Sequence, residues 1–164
     1  VNFKEALAFW KTKNKPPRAL SSKQLDAVNK LVTLVPGQCY FCSKQLSGRR
    51  KKWCSDICVD NFNIIRGQTH MIRYHVYDRD QGICFRCKVD TDIIRDKIFN
   101  SPLTIEWLEL VHKTMGDSLT FNRLASKKSF WDAHHIIAVK DGGGCCGLEN
   151  FMTICYKCHL KEHK

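Results

Sequence analysis

The sequence predicts an α+β protein, mostly helical and stapled by metal, on three observations. Eight of its ten cysteines fall into four tight pairs, Cys39/Cys42, Cys54/Cys58, Cys84/Cys87 and Cys155/Cys158. Apolar residues recur at spacings of three and four through much of the chain, the period of a helix. The last third departs from that pattern, with a histidine pair, His134-His135, a Gly142-Gly143-Gly144 stretch and a closing His159-x3-His163. Neighbouring histidines on a strand point to opposite faces, so one can face a metal while the other faces a water. On a helix, residues four apart share a face, so His159 and His163 can share one ion. This spacing supplies three metal ligands and one free base.

With 164 residues and 43% hydrophobic content, the chain has room for one modest domain or two small ones. Cores of that size are marginal without crosslinks or metal. Three of the four cysteine pairs are C-x2-C, a chelating spacing. They therefore read as zinc ligands of an intracellular protein rather than as a disulfide framework. Charges interrupt every apolar run before it could span a bilayer, and no signal peptide is visible, so no membrane partner is expected.

The net charge of +11 is unevenly spread. Residues 1 to 52 hold 12 Lys or Arg against Glu5 and Asp26, whereas the other 112 residues hold 15 bases against 14 acids. A basic grip for a polyanion is thus joined to a near-neutral part that would carry the chemistry. Taken alone, Arg49-Arg50-Lys51-Lys52 is also compatible with a solvated surface or a nuclear import signal.

Phe3, Leu7, Phe9 and Trp10 outline a short amphipathic helix that Pro16-Pro17 stops. Ser22 is placed to cap a second helix, with Leu25, Val28, Leu31 and Val32 on one face and Pro36-Gly37 after its end. Cys39-x2-Cys42 and Cys54-x3-Cys58 then flank eleven residues, a spacing suited to a four-cysteine zinc finger with a projecting basic loop. Ser55 caps one long helix from about 56 to 79, with Phe62, Ile65, Ile72 and Val76 facing a core and Gly67 its weak point. Cys84-x2-Cys87 is a second knuckle, whose partner pair follows 67 residues later at Cys155-x2-Cys158. Between them, residues from about 88 to 130 read as a helical insert carrying Ile93, Ile94, Ile98, Ile105, Trp107, Leu108 and Val111, broken at Ser101-Pro102. No internal repeat is visible. The readings divide the chain into residues 1–80, a basic helical region with the finger and the long helix, and residues 81–164, the histidine-rich core with its insert.

Pairing Cys84/Cys87 with Cys155/Cys158 places a closed four-thiolate zinc site directly before His159, fixing the start of the last helix. The alternatives are two separate sites, or Cys145 and Cys146 in place of one pair. Adjacent cysteines in a Gly-rich turn make a poor chelate. His159 to His163 also fits the H-x-x-E-H pattern of some metalloproteases, a reading that leaves His134, His135 and Asn150 unexplained.

Together, Gly82-x-Cys84-x2-Cys87, Trp131-Asp132-Ala133-His134-His135-Ile136, Leu148-Glu149-Asn150 and Cys155-x2-Cys158-His159-x3-His163 resemble an HNH endonuclease of the ββα-metal type. From Cys39 onward, the finger, the Trp53-Cys54-Ser55-x2-Cys58 turn, the long helix, the knuckle, the insert and the core also resemble the HNH module at the C-terminal end of the eukaryotic annealing helicase of the Ran-binding zinc-finger type. The resemblance implies a ββα-metal core with structural four-cysteine zinc sites, a basic N-terminal finger region and a helical insert. It implies that His135 is the general base, that Asn150 braces the loop between the two strands, and that His159 with His163 completes the metal site. Asp-His is the usual first pair in that helicase branch, whereas this chain has His134-His135. A His-His pair with a closing His-x3-His is similar to the colicin DNases, in which three histidines hold the metal. The implied ligands of a catalytic ion are therefore His134, His159 and His163, beside two structural Zn²⁺. Imidazole in place of a hard carboxylate moves preference from Mg²⁺ towards Mn²⁺, Ni²⁺, Co²⁺ or Zn²⁺.

The activity implied is metal-dependent hydrolysis of DNA phosphodiesters, leaving a 5′ phosphate and a 3′ hydroxyl. A histidine with an ordinary pKa near ~6.5 is largely neutral at physiological pH, so His135 can take a proton from the attacking water. Arg49, Arg50, Lys51 and Lys52, with Lys140 and Lys157 near the core, are the expected DNA contacts. Little in the sequence would read base edges, so selection of DNA structure, such as forks, flaps or junctions, is expected over selection of sequence. The helicase likeness further implies work in DNA repair at replication forks, a helicase or translocase domain upstream in the same polypeptide, and a nuclear location. The competing reading is a non-catalytic, zinc-stabilised DNA-binding module on an HNH scaffold. Zinc folding requires neither His135 nor Asn150, so their presence weighs against it.

Overall fold

A computed structural model describes residues 1–68, 70–115 and 129–163. In chain order these form α1 (Phe3–Lys13), α2 (Ser22–Asn29), α3 (Asp56–Ile65), α4 (His70–Asp80), α5 (Thr91–Asn100), α6 (Ile105–Met115), β1 (Trp131–His135), β2 (Phe151–Cys155) and α7 (Tyr156–Glu162). Short 3-10 turns occupy Val139–Asp141 and Leu148–Asn150. Strands β1 and β2 pair in a two-stranded sheet. The protein is thus α+β and mostly helical, and its last three elements run strand, strand, helix. Among the described residues, no helix is long and apolar enough to cross a membrane.

Contacts divide the chain into two compact units, Val1–Ile72 with His135–Asn150, and Arg73–His134 with Phe151–Lys164. Residues 73–80 thus lie in the second of these units and residues 135–150 in the first.

In the first unit, α1 begins with a capping box. Asn2 Oδ1 accepts the Glu5 N–H at 2.9 Å, and the Glu5 carboxylate accepts the Asn2 N–H at 3.1 Å. The amides of Phe3 and Lys4, which lack helical partners, donate to the carbonyls of Tyr40 and Phe41. The start of α1 is therefore bonded to the first cysteine knuckle. Phe3 is fully buried and meets Phe62 edge-on at 4.8 Å, while Trp53 lies 5.0 Å from Phe62 and 5.4 Å from Tyr40. These rings, with Leu7, Trp10 and Val28, form a core that also contains Cys39, Cys58 and Cys145. Two details differ from the sequence expectation. Phe9 is half exposed, so the buried face of α1 is Phe3, Ala6, Leu7 and Trp10. Helix α2 is capped by Ser21 rather than Ser22, because only from Ser21 does Gln24 fall at the position that closes a capping box.

The single helix expected over 56–79 is two helices. Ser55 caps α3 as expected, through a bond to the Cys58 N–H. Gly67 then takes φ +93, the left-handed conformation that ends helices, and α4 starts at His70. Phe62, Ile65, Ile72 and Val76 are all buried, so the apolar spacing identified the inward face even though the helix is interrupted.

In the second unit, Asp90 caps α5 through the N–H groups of Asp92 and Ile93. The insert buries Ile98 and Val111 against Phe130. Ile93, Ile105 and Leu108 share its apolar spacing but are exposed. Residues 116–128 of the expected insert lie outside the described residues. Arg79 donates to the Phe151 carbonyl at 2.7 Å, and Asp80 accepts the Thr153 N–H at 3.0 Å, so the end of α4 holds β2 in place.

Candidate functional site

The eight paired cysteines gather into two clusters, Cys39/Cys42/Cys54/Cys58 in the first unit and Cys84/Cys87/Cys155/Cys158 in the second, with the sulfurs of each within 4.8 Å of one another. All ten cysteines are free thiols. The recorded S···S separations are 3.5 to 3.7 Å in the first cluster and 3.7 Å between Cys87 and Cys155. Four sulfurs at tetrahedral corners about 2.3 Å from a zinc ion would lie roughly 3.8 Å apart, so both clusters could bind zinc.

The two clusters are built alike. Gly37 and Gly82 both have positive φ, and so do Ser43 and Lys88 six residues on. In each, the first cysteine amide bonds the carbonyl five residues later, Cys39 to Lys44 and Cys84 to Val89, and the flanking residues form a bridge, Gln38 with Gln45 and Ile83 with Asp90. The second pair stands at a helix start in both cases, α3 for Cys54/Cys58 and α7 for Cys155/Cys158. This is a structural repeat that the sequence shows only as Gly-x-Cys-x2-Cys.

Burial would push the Cys39 thiol up, but hydrogen bonds from the backbone around Cys54, Cys42 and Phe41 outweigh it and bring it down to about 7. Cys84 is treated in the same way: burial is outweighed by backbone hydrogen bonds of Cys155, Cys87 and Arg86, which bring it to about 7. Burial instead raises Cys58 to about 12 and Cys158 to about 11, with neighbouring sulfurs adding to the rise. Without a cation, four thiolates cannot share such a space; a divalent ion removes the conflict. Cys145 and Cys146 stand outside both clusters. Cys145 is buried, burial raises its thiol to about 11, and its Sγ–H points at the Pro17 carbonyl at 3.0 Å. It behaves as a core residue.

The second unit also brings together His134 on β1, His159 on α7 and His163 directly after that helix, again with ligand atoms within 4.8 Å. His159 Nε2 and His163 Nε2 are 3.0 Å apart. Imidazoles at tetrahedral corners of one ion would sit roughly 3.3 Å apart, so the three side chains fit a shared divalent ion. Burial, then repulsion from His159 and His163, holds the His134 imidazole below its ordinary value and thus neutral, the form that binds metal.

Two residues the sequence reading did not assign complete this cluster. Asp132 Oδ2 lies 3.0 Å from His159 Nδ1, and Asp132 Oδ1 lies 3.6 Å from the Arg73 guanidinium. Arg73 in turn covers the Trp131 ring at 4.1 Å and donates to the Trp131 carbonyl at 3.1 Å. The available signal was the strand period: Asp132 is two residues before His134 and so shares its face of β1. The start of α7 is anchored by its cysteines and its end by the Arg86–Glu162 ion pair at 2.7 Å.

His135, the last residue of β1, is half-buried and belongs to the first unit. In that unit Asn150 is buried, and its side chain binds the loop that follows His135 at three points. Its Oδ1 accepts the Ile137 N–H at 2.8 Å, and its Nδ2 donates to the Ile137 and Gly143 carbonyls, both at 3.0 Å. The backbone of Asn150 also accepts the Ile136 N–H. Close approach explains the glycines: a Cβ on Gly143 would lie 1.8 Å from the Ile137 oxygen, and one on Gly144 would lie 2.1 Å from the Pro17 oxygen.

Arg49, Arg50, Lys51 and Lys52 are exposed on the finger loop. Arg50 pairs with Asp56 at 3.1 Å, and Lys52 sits over Tyr40 at 4.6 Å and Trp53 at 5.1 Å. Lys140 is exposed on the turn after β1. Lys157 is exposed on α7, and its ammonium donates to the Lys113 carbonyl at 3.1 Å.

Residues 122–164 match the family model described as HNH endonuclease. The C-terminal core, with its strand–strand–helix order and histidine cluster, is thus similar to HNH endonucleases. The chain is similar to the DNA annealing helicase and endonuclease ZRANB3 of Mus musculus, 28% identical over 133 residues that cover 74% of this chain and 12% of that protein. It is also 28% identical to the protein of that name from Homo sapiens, over 117 residues covering 68% of this chain and 11% of that one. The chain thus spans about a tenth of the length of these relatives. The crystal structure of the human ZRANB3 HNH domain aligns with 59% of this chain and 87% of its own, at 25% identity and a TM-score of 0.46.

Proposed function

We propose that this chain is the nuclease part of a larger DNA-processing protein and that it cuts DNA by metal-dependent hydrolysis. The observation that carries this reading is the His134, His159 and His163 cluster, held by β1 and α7 and backed by Asp132. His134, His159 and His163 would hold a divalent ion, which when bound would supply Lewis-acid stabilisation of the charge that develops as the phosphodiester is hydrolysed. The nitrogen set favours Mn²⁺, Ni²⁺, Co²⁺ or Zn²⁺ over Mg²⁺. His135, pointing to the other face of the strand, takes the proton from the attacking water. Asn150 holds the loop after His135 and so keeps that base in register. The two four-cysteine clusters hold structural Zn²⁺.

The finger loop, with Arg49 and Lys51 foremost, grips the phosphate backbone, and Lys140 and Lys157 add contacts nearer the core. Contacts to the phosphate backbone carry no base-edge readout, which supports selection of forks, flaps or junctions over sequence. The relatives' description as DNA annealing helicase and endonuclease supports a motor elsewhere in the same polypeptide, and a nuclear role at replication forks is part of the same proposal.

The test is cleavage of labelled duplex, forked, flapped and single-stranded DNA by wild type and by His135→Ala, after chelation and re-addition of each metal. Metal-dependent cutting abolished in His135→Ala, with DNA binding and zinc content unchanged, is the expected result. Binding without cutting under every metal would make the chain a DNA-binding module on an HNH scaffold.

A further inference from the structure

The second unit contains a pocket of about 460 Å³ behind the zinc cluster, within the size range of small-ligand sites. Its floor is apolar, made by Val89, Ile94, Leu110 and Phe130. Among the described residues, four lysines line it, Lys97 from α5, Lys113 from α6, and Lys157 and Lys161 from α7, and none of the described lining residues is acidic. Apolar walls under converging cations fit a ligand with a flat apolar part and an attached anion.

We propose that this pocket holds an unpaired nucleotide of single-stranded DNA, its base on the apolar floor and its flanking phosphates among the lysines. The proposal rests on the nuclease reading above and adds a feature to its substrate. Lys157 and Lys161 are four residues apart on α7, as are His159 and His163, and the two pairs are offset by two residues. That offset is roughly 200° around the helix, so pocket and histidines use opposite faces of an element about 10 Å across. A strand end seated in the pocket reaches the histidines after only a few nucleotides. An unpaired end therefore sets the place of the cut, which is how a protein without base-edge readers would select a flap or fork.

The lysines also have a simpler employment, since Cys87, Cys155 and Cys158 line the same pocket and a four-thiolate zinc site is anionic. The experiment must separate these roles and must not depend on cleavage. Zinc-loaded protein would be titrated with a 2-aminopurine-labelled hexanucleotide, with the same backbone carrying abasic sites, and with dTMP, following fluorescence and anisotropy. Wild type should bind the base-bearing strand at least about tenfold more tightly than the abasic strand, and more tightly than dTMP. Lys97→Glu and Lys161→Glu should each weaken strand binding about tenfold, and Ile94→Ser should weaken only the base-bearing strand. Equal affinity for abasic and base-bearing strands would overturn the proposal, because charge alone would then explain binding. Loss of zinc from the lysine variants, with unchanged strand affinity, would also overturn it and assign the lysines to the thiolates. Affinity for dTMP equal to that for the strand would overturn the strand assignment. If wild type binds as expected yet never cuts DNA, the pocket stands and the nuclease reading falls.

Discussion

Asp132 accepts from His159: its Oδ2 lies 3.0 Å from Nδ1, which leaves Nε2 to face His163 Nε2 at 3.0 Å. A carboxylate behind a ligating histidine selects the tautomer, orients the ring and raises its basicity. Asp132→Asn keeps the shape and removes the charge. It should lower the affinity of the histidine cluster for Mn²⁺ or Co²⁺ by about 10- to 100-fold. Titration of the metal into zinc-loaded protein reads this directly, and the zinc content should stay at two per chain. Unchanged affinity would reduce the contact to a packing feature.

His134 gives a pH prediction from the same cluster. Burial, and then repulsion from His159 and His163, lowers its pKa, so with the cysteine clusters zinc-loaded and no ion on the histidines it should titrate below the ordinary value of about 6.5. Proton competition at this ligand therefore begins at lower pH than for an exposed histidine. Replacing His159 by Ala removes one repelling neighbour and should move the His134 midpoint upward in an NMR titration. A midpoint that stayed put would remove His159 from the causes and leave burial and the remaining neighbours.

Asn150 joins three backbone groups at once, and no smaller side chain can do so. Asn150→Ala leaves the Ile137 N–H and two carbonyls unpaired and should cost about 2–4 kcal/mol. Asn150→Asp keeps the acceptor and loses both donor bonds. Gly143→Ala should be as damaging for a different reason, since its Cβ meets the Ile137 oxygen of the same loop. Chemical denaturation of the zinc-loaded protein would rank the three variants, and a neutral Gly143→Ala would refute the close approach.

The side-chain clusters that could hold metal were legible in the sequence because their members come from rigid, local spacings: C-x2-C, His-x3-His, and a His pair whose members must diverge on a strand. The inward faces of the helices were legible for the same reason, as Phe62, Ile65, Ile72 and Val76 show. What was hidden depends on contacts across long stretches of chain. Asp132 matters because α7 brings His159 to it, 27 residues later, and Arg73 because α4 brings it to Trp131, 58 residues away. The break at Gly67 was visible as a weak point, but helical periodicity carried on through it, so one helix was expected where two exist. Both knuckles were visible in the sequence, but their structural repeat was not, because the likeness lies in positive-φ positions and backbone bonds, with Ser43 in one copy and Lys88 in the other.

The zinc clusters should be conditions of folding rather than ornaments. In the first unit, Cys39 and Cys58 are part of the same buried cluster as Phe3, Phe41 and Phe62, so a zinc ion held there would close the core. In the second, Cys84 and Cys155 are buried with Met152 and Ile154 of β2. Strong chelation should therefore unfold the protein, with loss of both ions, as in other small zinc-stapled domains. Cys39→Ser and Cys84→Ser should each leave one ion bound. Circular dichroism with zinc quantification checks this, and retention of native spectra after removal of both ions would contradict it.

The basic loop offers the clearest separation of DNA binding from folding. Arg49 and Lys51 are exposed, whereas Lys52 rests on Tyr40 and Trp53, and the exposed Arg50–Asp56 pair adds at most about 1 kcal/mol. Each cation that neutralises a phosphate contributes about −0.9 to the slope of log K against log salt. Arg49→Ala with Lys51→Ala should make that slope shallower by about 1.8 and leave stability unchanged. Lys52→Ala should change both quantities, since it also removes a cation–aromatic contact of about 0.5–1 kcal/mol. Salt-dependent DNA binding and denaturation of the same three proteins measure the two effects apart. If the Arg49/Lys51 variant kept the wild-type slope, the loop would not touch the phosphates, and the grip would have to be sought elsewhere on the basic N-terminal third.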